Sequence, residues 1–146
     1  MMRIGFLGLM MGFVIAAYGQ SGDDILGTWL NEKKDSKIEV YKKDGAYYGR
    51  IIWLKNNVND DGTSPKVDRN NPDEKLQKRT IVGTIILQDL EWDKEDKEWN
   101  EGEIYDPRSG NTYSCFAKLE SQNSLYLKGY IGFSLIGRST TWTRVE

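Results

Sequence analysis

Histidine is absent from the 146 residues of this chain. That removes the commonest metal ligand and the one side chain whose ordinary pKa lies near neutrality. Ser-His-Asp and Cys-His catalysis and histidine zinc sites are excluded with it. Cysteine occurs once, at Cys115, so no internal disulfide can form. A lone cysteine in an exported chain is either buried and inert or joined to a second chain. Cys115 alternates with Tyr113, Ala117 and Leu119 in a strand-like run, which predicts burial. A basic excess is also missing: beyond the first nineteen residues, 19 basic side chains face 22 acidic ones. Nucleic-acid binding rewards the opposite balance, and anionic membranes do too.

Long apolar runs are scarce, and the main one is N-terminal. Arg3 precedes the apolar stretch Ile4 to Ala17, and Ala17-Tyr18-Gly19 offers small residues at a cleavage point before Gln20. The run is too short for a spanning helix, which needs about 20 apolar residues. Residues 1–19 are therefore expected to be a signal peptide, and 20–146 one domain in the periplasm or outside the cell. The alternative is an uncleaved anchor. No Cys lies near the cleavage point, so lipid attachment is not expected and no stable membrane anchor should remain.

The rest reads as short β-strands. Lys37-Ile38-Glu39-Val40-Tyr41-Lys42 alternates polar and apolar, and Asp44-Gly45 joins it to Ala46–Leu54 in a predicted hairpin. Within that second strand Tyr47, Gly49, Ile51 and Trp53 share one face. Tyr48, Arg50, Ile52 and Leu54 share the other, and two partly apolar faces predict a covered, central strand. Lys55 to Thr80 is polar and too long for an ordinary connection. Asn71-Pro72-Asp73-Glu74 predicts one short helix, about Pro72 to Lys78, capped by Asn71. Further strands are expected at Ile81–Leu87, bent at Gly83, and at Leu90–Asp93 and Glu98–Tyr105. Asn111–Leu119, Leu125–Tyr130 and Arg138–Val145 complete the set. Eight or nine strands in near-sequential hairpins predict an all-β, antiparallel up-and-down barrel, with a sandwich as the alternative.

Gly27-Thr28-Trp29 on the first strand, with a late Arg on the last, resembles the lipocalin and calycin pattern. In those barrels the first-strand Trp closes one end and an Arg packs across it. A second resemblance covers the mature chain. Gly49-Arg50-Ile51-Ile52-Trp53-Leu54, Asp68-Arg69-Asn70-Asn71-Pro72-Asp73 and Gly102-Glu103-Ile104-Tyr105-Asp106-Pro107 carry it. Gly110-Asn111-Thr112-Tyr113, Gly129-Tyr130-Ile131-Gly132 and Thr141-Trp142-Thr143-Arg144-Val145 continue it. These are similar to the bacterial domain-of-unknown-function family numbered 2147. The resemblance implies an exported calycin-like barrel and no activity. Some members carry Cys beside the glycines matching Gly49 and Gly83; Tyr48 and Val82 stand there in this chain.

Candidate residues follow from these placements. Asn57, Asn59, Asp61 and Asp68 approach a Ca²⁺-loop spacing, but Asn57 is neutral and Asp68 replaces the bidentate Glu. A solvated Asx-rich loop is the expected reading, and no cofactor is expected. Gly129 to Gly137 is an apolar connection around Phe133 and Leu135, read as a plug or a portal lid. Arg50, Arg138 and Arg144 lie in apolar contexts and need partners such as Glu103 or Asp106, or form an anion site. Glu103 with Asp106 is the sole acid/base candidate, and Asp106 is explained by its Pro turn, so no enzyme is expected. Trp29, Trp53, Tyr105, Tyr113, Tyr130 and Trp142 are core or line a cavity. Together they predict a barrel holding a small hydrophobic or amphipathic molecule. The alternative is a filled barrel that contacts an envelope protein.

Overall fold

The computed structural model describes residues 20–130 and 137–145. Eight antiparallel strands close in sequence order into an up-and-down barrel. They are β1 (Gly27–Leu30), β2 (Ser36–Lys43), β3 (Ala46–Leu54), β4 (Ile85–Asp93), β5 (Glu98–Asp106), β6 (Asn111–Ser121), β7 (Ser124–Tyr130) and β8 (Gly137–Val145). Pairing of Trp29 with Arg144 and Thr28 with Val145 joins β1 to β8 and leaves no sheet edge open. The Asp44-Gly45 hairpin forms as expected, both residues holding the positive φ that a tight primed turn needs.

The strand boundaries differ from expectation in one region. Ile81–Leu87 and Leu90–Asp93 are not two strands. Ile81 to Thr84 is a turn in which Gly83 (φ 97) supplies the bend, and β4 then runs unbroken to Asp93. Asp89 takes φ 58 inside β4, so the strand kinks where a break was expected. The expected helix is also shorter: a 3-10 turn covers Glu74–Leu76, and Asp73 rather than Asn71 caps it. A second, unexpected 3-10 turn spans Gly22–Ile25, with Ser21 and Asp24 forming a capping box. Among the described residues no helix is long and apolar enough to cross a membrane.

That first turn seals one end of the barrel. Ile25 is fully buried, and the indole of fully buried Trp29 donates to the Ile25 carbonyl at 2.9 Å. Trp99, equally buried, donates to the Gly22 carbonyl at 3.0 Å. Tyr47 donates to Asp23 at 2.6 Å. Arg144 lies over the Trp29 ring at 4.3 Å and donates to the carbonyls of Leu26, Asp24 and Gln122. This is the arginine-over-indole closure expected from the first and last strands, and one guanidinium satisfies three carbonyls, two on the N-terminal turn and one on the β6–β7 turn. Above it the core runs through Ile38, Leu87, Leu90, Ala117 and Leu125, with Cys115 buried among them. Each fully buried Leu or Ile contributes about 1.5–3 kcal/mol.

Candidate functional site

Among the described residues the opposite end is open. A cavity of about 690 Å³ enters the barrel where the β1–β2, β3–β4 and β5–β6 connections gather. Ile38, Ile51, Ile86, Ile104, Leu127 and Trp142 give it apolar walls. Its mouth is charged. Arg69 pairs with Asp60 at 2.9 Å and Arg108 with Asp35 at 2.7 Å, while Lys33, Lys66 and Arg138 also border the space.

One wall is built by the long β3–β4 connection, and a buried carboxylate holds it there. Asp68 is completely shielded from solvent. Its Oδ1 accepts from the Tyr105 hydroxyl at 2.6 Å. Its Oδ2 accepts from Asn71 at 2.9 Å and from Arg79 Nε at 3.0 Å. Arg79 also stacks over the Tyr105 ring at 5.6 Å. The Asp68 amide donates to the Arg79 carbonyl, and Val67 bridges to Thr80, so the connection folds back on itself. Asn70 ties it to the β5–β6 turn by donating to the Arg108 carbonyl at 2.9 Å. Three side chains, Tyr105, Asn71 and Arg79, thus satisfy a charge that would be costly to bury alone. Burial, then the bond to Asp68, pushes the Tyr105 hydroxyl up to about 12. The sequence marks Tyr105 only as a cavity or core residue and Asp68 only as a weak calcium ligand, and it carries no sign of their pairing. The pair is 37 residues apart, and no local period marks it.

The calcium candidates are therefore dispersed. Asp68 faces Tyr105, while Asn57 accepts from the Lys66 amide and Asp61 from Thr63. Asn59 donates its amide to the Thr63 and Pro65 carbonyls. An amide nitrogen sits where the loop's oxygens converge, and the turn is held by Asx bonds of the kind expected for a solvated loop. Among the described residues no three His, Cys, Asp or Glu side chains are placed to hold a metal ion.

The other candidates separate into three places. Tyr105, Tyr113, Arg138 and Trp142 border the cavity. Trp29 and Arg144 belong to the sealed end. Arg50, Trp53 and Tyr130 lie on the outer face. Arg50 is not buried: it pairs with Glu39 at 2.6 Å and stacks over Tyr41 at 4.9 Å. Trp53 is 38% exposed beneath Lys37, because β3 carries an extra residue between its pairings Lys37–Trp53 and Ile38–Ile51. That bulge at Ile52 turns Trp53 outward and Leu54 inward, so the alternation read from sequence fails at its last turn. The outer face of β3 is accordingly exposed at Ile52 rather than covered. Tyr130 packs against Phe116 on the outside. Glu103 and Asp106 partner none of the three arginines. Glu103 is exposed, and Asp106 accepts from the Arg108 amide and Ser109 within its own turn. Phe133 and the connection from 131 to 136 lie outside the described residues.

A family model for uncharacterized proteins conserved in bacteria, DUF2147, matches residues 27–144. The chain belongs to this family. Among solved structures, the DUF2147 chain is similar to one described as "Protein HP1028 from the human pathogen Helicobacter pylori belongs to the lipocalin family". The two are 25% identical with a TM-score of 0.69, over 83% of this chain and 82% of that one. No curated protein matches the DUF2147 chain. The barrel is thus lipocalin-like in architecture, as both resemblances implied.

Proposed function

We propose that this DUF2147 protein is an exported, non-catalytic barrel that binds a small hydrophobic or amphipathic molecule in the periplasm or outside the cell. One observation carries the reading: the cavity of about 690 Å³ with apolar walls and a charged mouth. Small-molecule sites commonly enclose about 300–1,000 Å³ lined by apolar and aromatic side chains. The lipocalin membership of the similar solved structure supports it. Export rests on the N-terminal sequence, and protein recovered from a periplasmic fraction should begin at Gln20.

The test uses N-phenyl-1-naphthylamine, a neutral apolar probe whose fluorescence rises out of water. Thr140 is half-buried on the cavity wall, so Thr140→Trp fills the space without removing core atoms. Wild-type protein should bind the probe. The variant should lose it while keeping its melting temperature. No binding by the wild type, or equal binding by both, overturns the proposal.

An interaction module is the second reading, favoured by Ile52, Trp53 and Ile85, each exposed by nearly two-fifths on adjacent strands β3 and β4. Serine at these positions should leave probe binding intact if the carrier reading holds.

A further inference from the structure

One face of β8 carries two arginines with different fates. Arg138, Thr140, Trp142 and Arg144 alternate along it, from exposed Arg138 at the mouth through half-buried Thr140 to buried Trp142. Arg144, at the sealed end, is spent on three carbonyls and an indole. Arg138, at the mouth, borders the cavity, and among the described residues no carboxylate pairs with it. The other two guanidiniums of the mouth are held by Asp60 and Asp35. Asp106 is also spent, on its own turn. The lining thus has five basic side chains against four acidic ones, in a chain whose net charge is −2. The mouth is positive against the overall balance.

What lies beside Arg138 is suited to an oxyanion. Its register partner on β7 is Gly129, which puts no side chain between the guanidinium and β6. The Tyr113 side chain packs there instead: a Cβ on Gly129 would lie 3.3 Å from the Tyr113 Cβ. The Tyr113 hydroxyl oxygen accepts from the Asn111 amide at 3.3 Å, so its own proton can be donated. A fork of guanidinium N–H groups and a phenol O–H therefore border one mouth, above walls of Ile104, Leu127 and Trp142.

We propose that the ligand is a single-headed amphipathic carboxylate, its apolar body in the barrel and its carboxylate on Arg138 and Tyr113. The inference rests on the carrier reading above and names the chemistry of its ligand. Guanidinium matches a carboxylate in a bidentate geometry that an ammonium cannot reproduce.

The experiment titrates the protein with a dansyl-labelled fatty acid and with its methyl ester, which differ only in head charge. Wild-type protein should bind the acid about 10-fold or more tightly than the ester, the range of charge-assisted hydrogen bonds. Arg138→Gln should bring the acid down to the level of the ester and leave ester binding and melting temperature unchanged. Arg138→Lys should restore part of the preference, and Tyr113→Phe should weaken the acid alone. Equal wild-type affinity for acid and ester overturns this inference and leaves the carrier reading standing. So does an acid preference that survives Arg138→Gln. Binding of neither overturns both.

Discussion

Replacing Asp68 tests whether one buried carboxylate holds the cavity wall in place. In Asp68→Leu the Tyr105 hydroxyl and the Asn71 amide, both in buried residues, lose their acceptor. Each stranded donor costs about 1–3 kcal/mol, so the two together cost about 2–6 kcal/mol. Arg79 adds little, since its side chain is 34% exposed and can turn toward water. That loss is comparable with much of a small domain's stability of about 5–15 kcal/mol. Tyr105→Phe removes one hydrogen bond to a charged acceptor while keeping the ring under Arg79, and should cost about 1.5–3 kcal/mol. Urea denaturation measures both. Amide exchange across residues 57–83 should rise in Asp68→Leu well beyond the rise in the β5–β6 hairpin, because the connection loses its anchor while the barrel ladder survives. A cost below about 1 kcal/mol for Asp68→Leu, or exchange that rises evenly over the molecule, refutes the reasoning.

Three further outcomes are expected. Tyr105 keeps its proton up to about 12 in the folded protein but loses it near 10.0 when unfolded, and Tyr47 is shifted in the same direction by burial and Asp23. Stability should therefore hold below pH 10 and decline as pH rises toward 12, and Tyr105→Phe should flatten part of that decline in the urea midpoint. Arg144→Lys keeps the charge but cannot serve three carbonyls and the Trp29 face, and should cost roughly 2 kcal/mol in urea; a cost below about 0.5 kcal/mol would mean the seal does not depend on the guanidinium. Burial pushes the Cys115 thiol up to about 12, so a disulfide reagent at pH 8 should react with it only at the rate of unfolding; fast reaction of native protein would contradict its burial.

Much of the barrel was legible in the chain because its signals are local. Period-two alternation in Lys37 to Lys42 and the Asp44-Gly45 turn each depend on residues a few positions apart. An arginine-over-indole closure was also legible, since any closed meander brings its first and last strands together; that Arg144 rather than Arg138 makes it, over Trp29, was decided by the fold. The absence of histidine decided which chemistries were open before any fold was known. Other features were settled only by tertiary structure. A bulge at Ile52 reversed the facing of Trp53 and Leu54, and a kink at Asp89 joined two expected strands into β4. Both answer to the neighbouring strand's register, which the alternation of a single strand does not contain. The cavity is what the inward side chains of all eight strands leave unfilled. Asp68 looked like one more polar loop residue until folding brought Tyr105 to it. A buried charge is tolerated only where partners distant in sequence converge, and that convergence belongs to the folded chain.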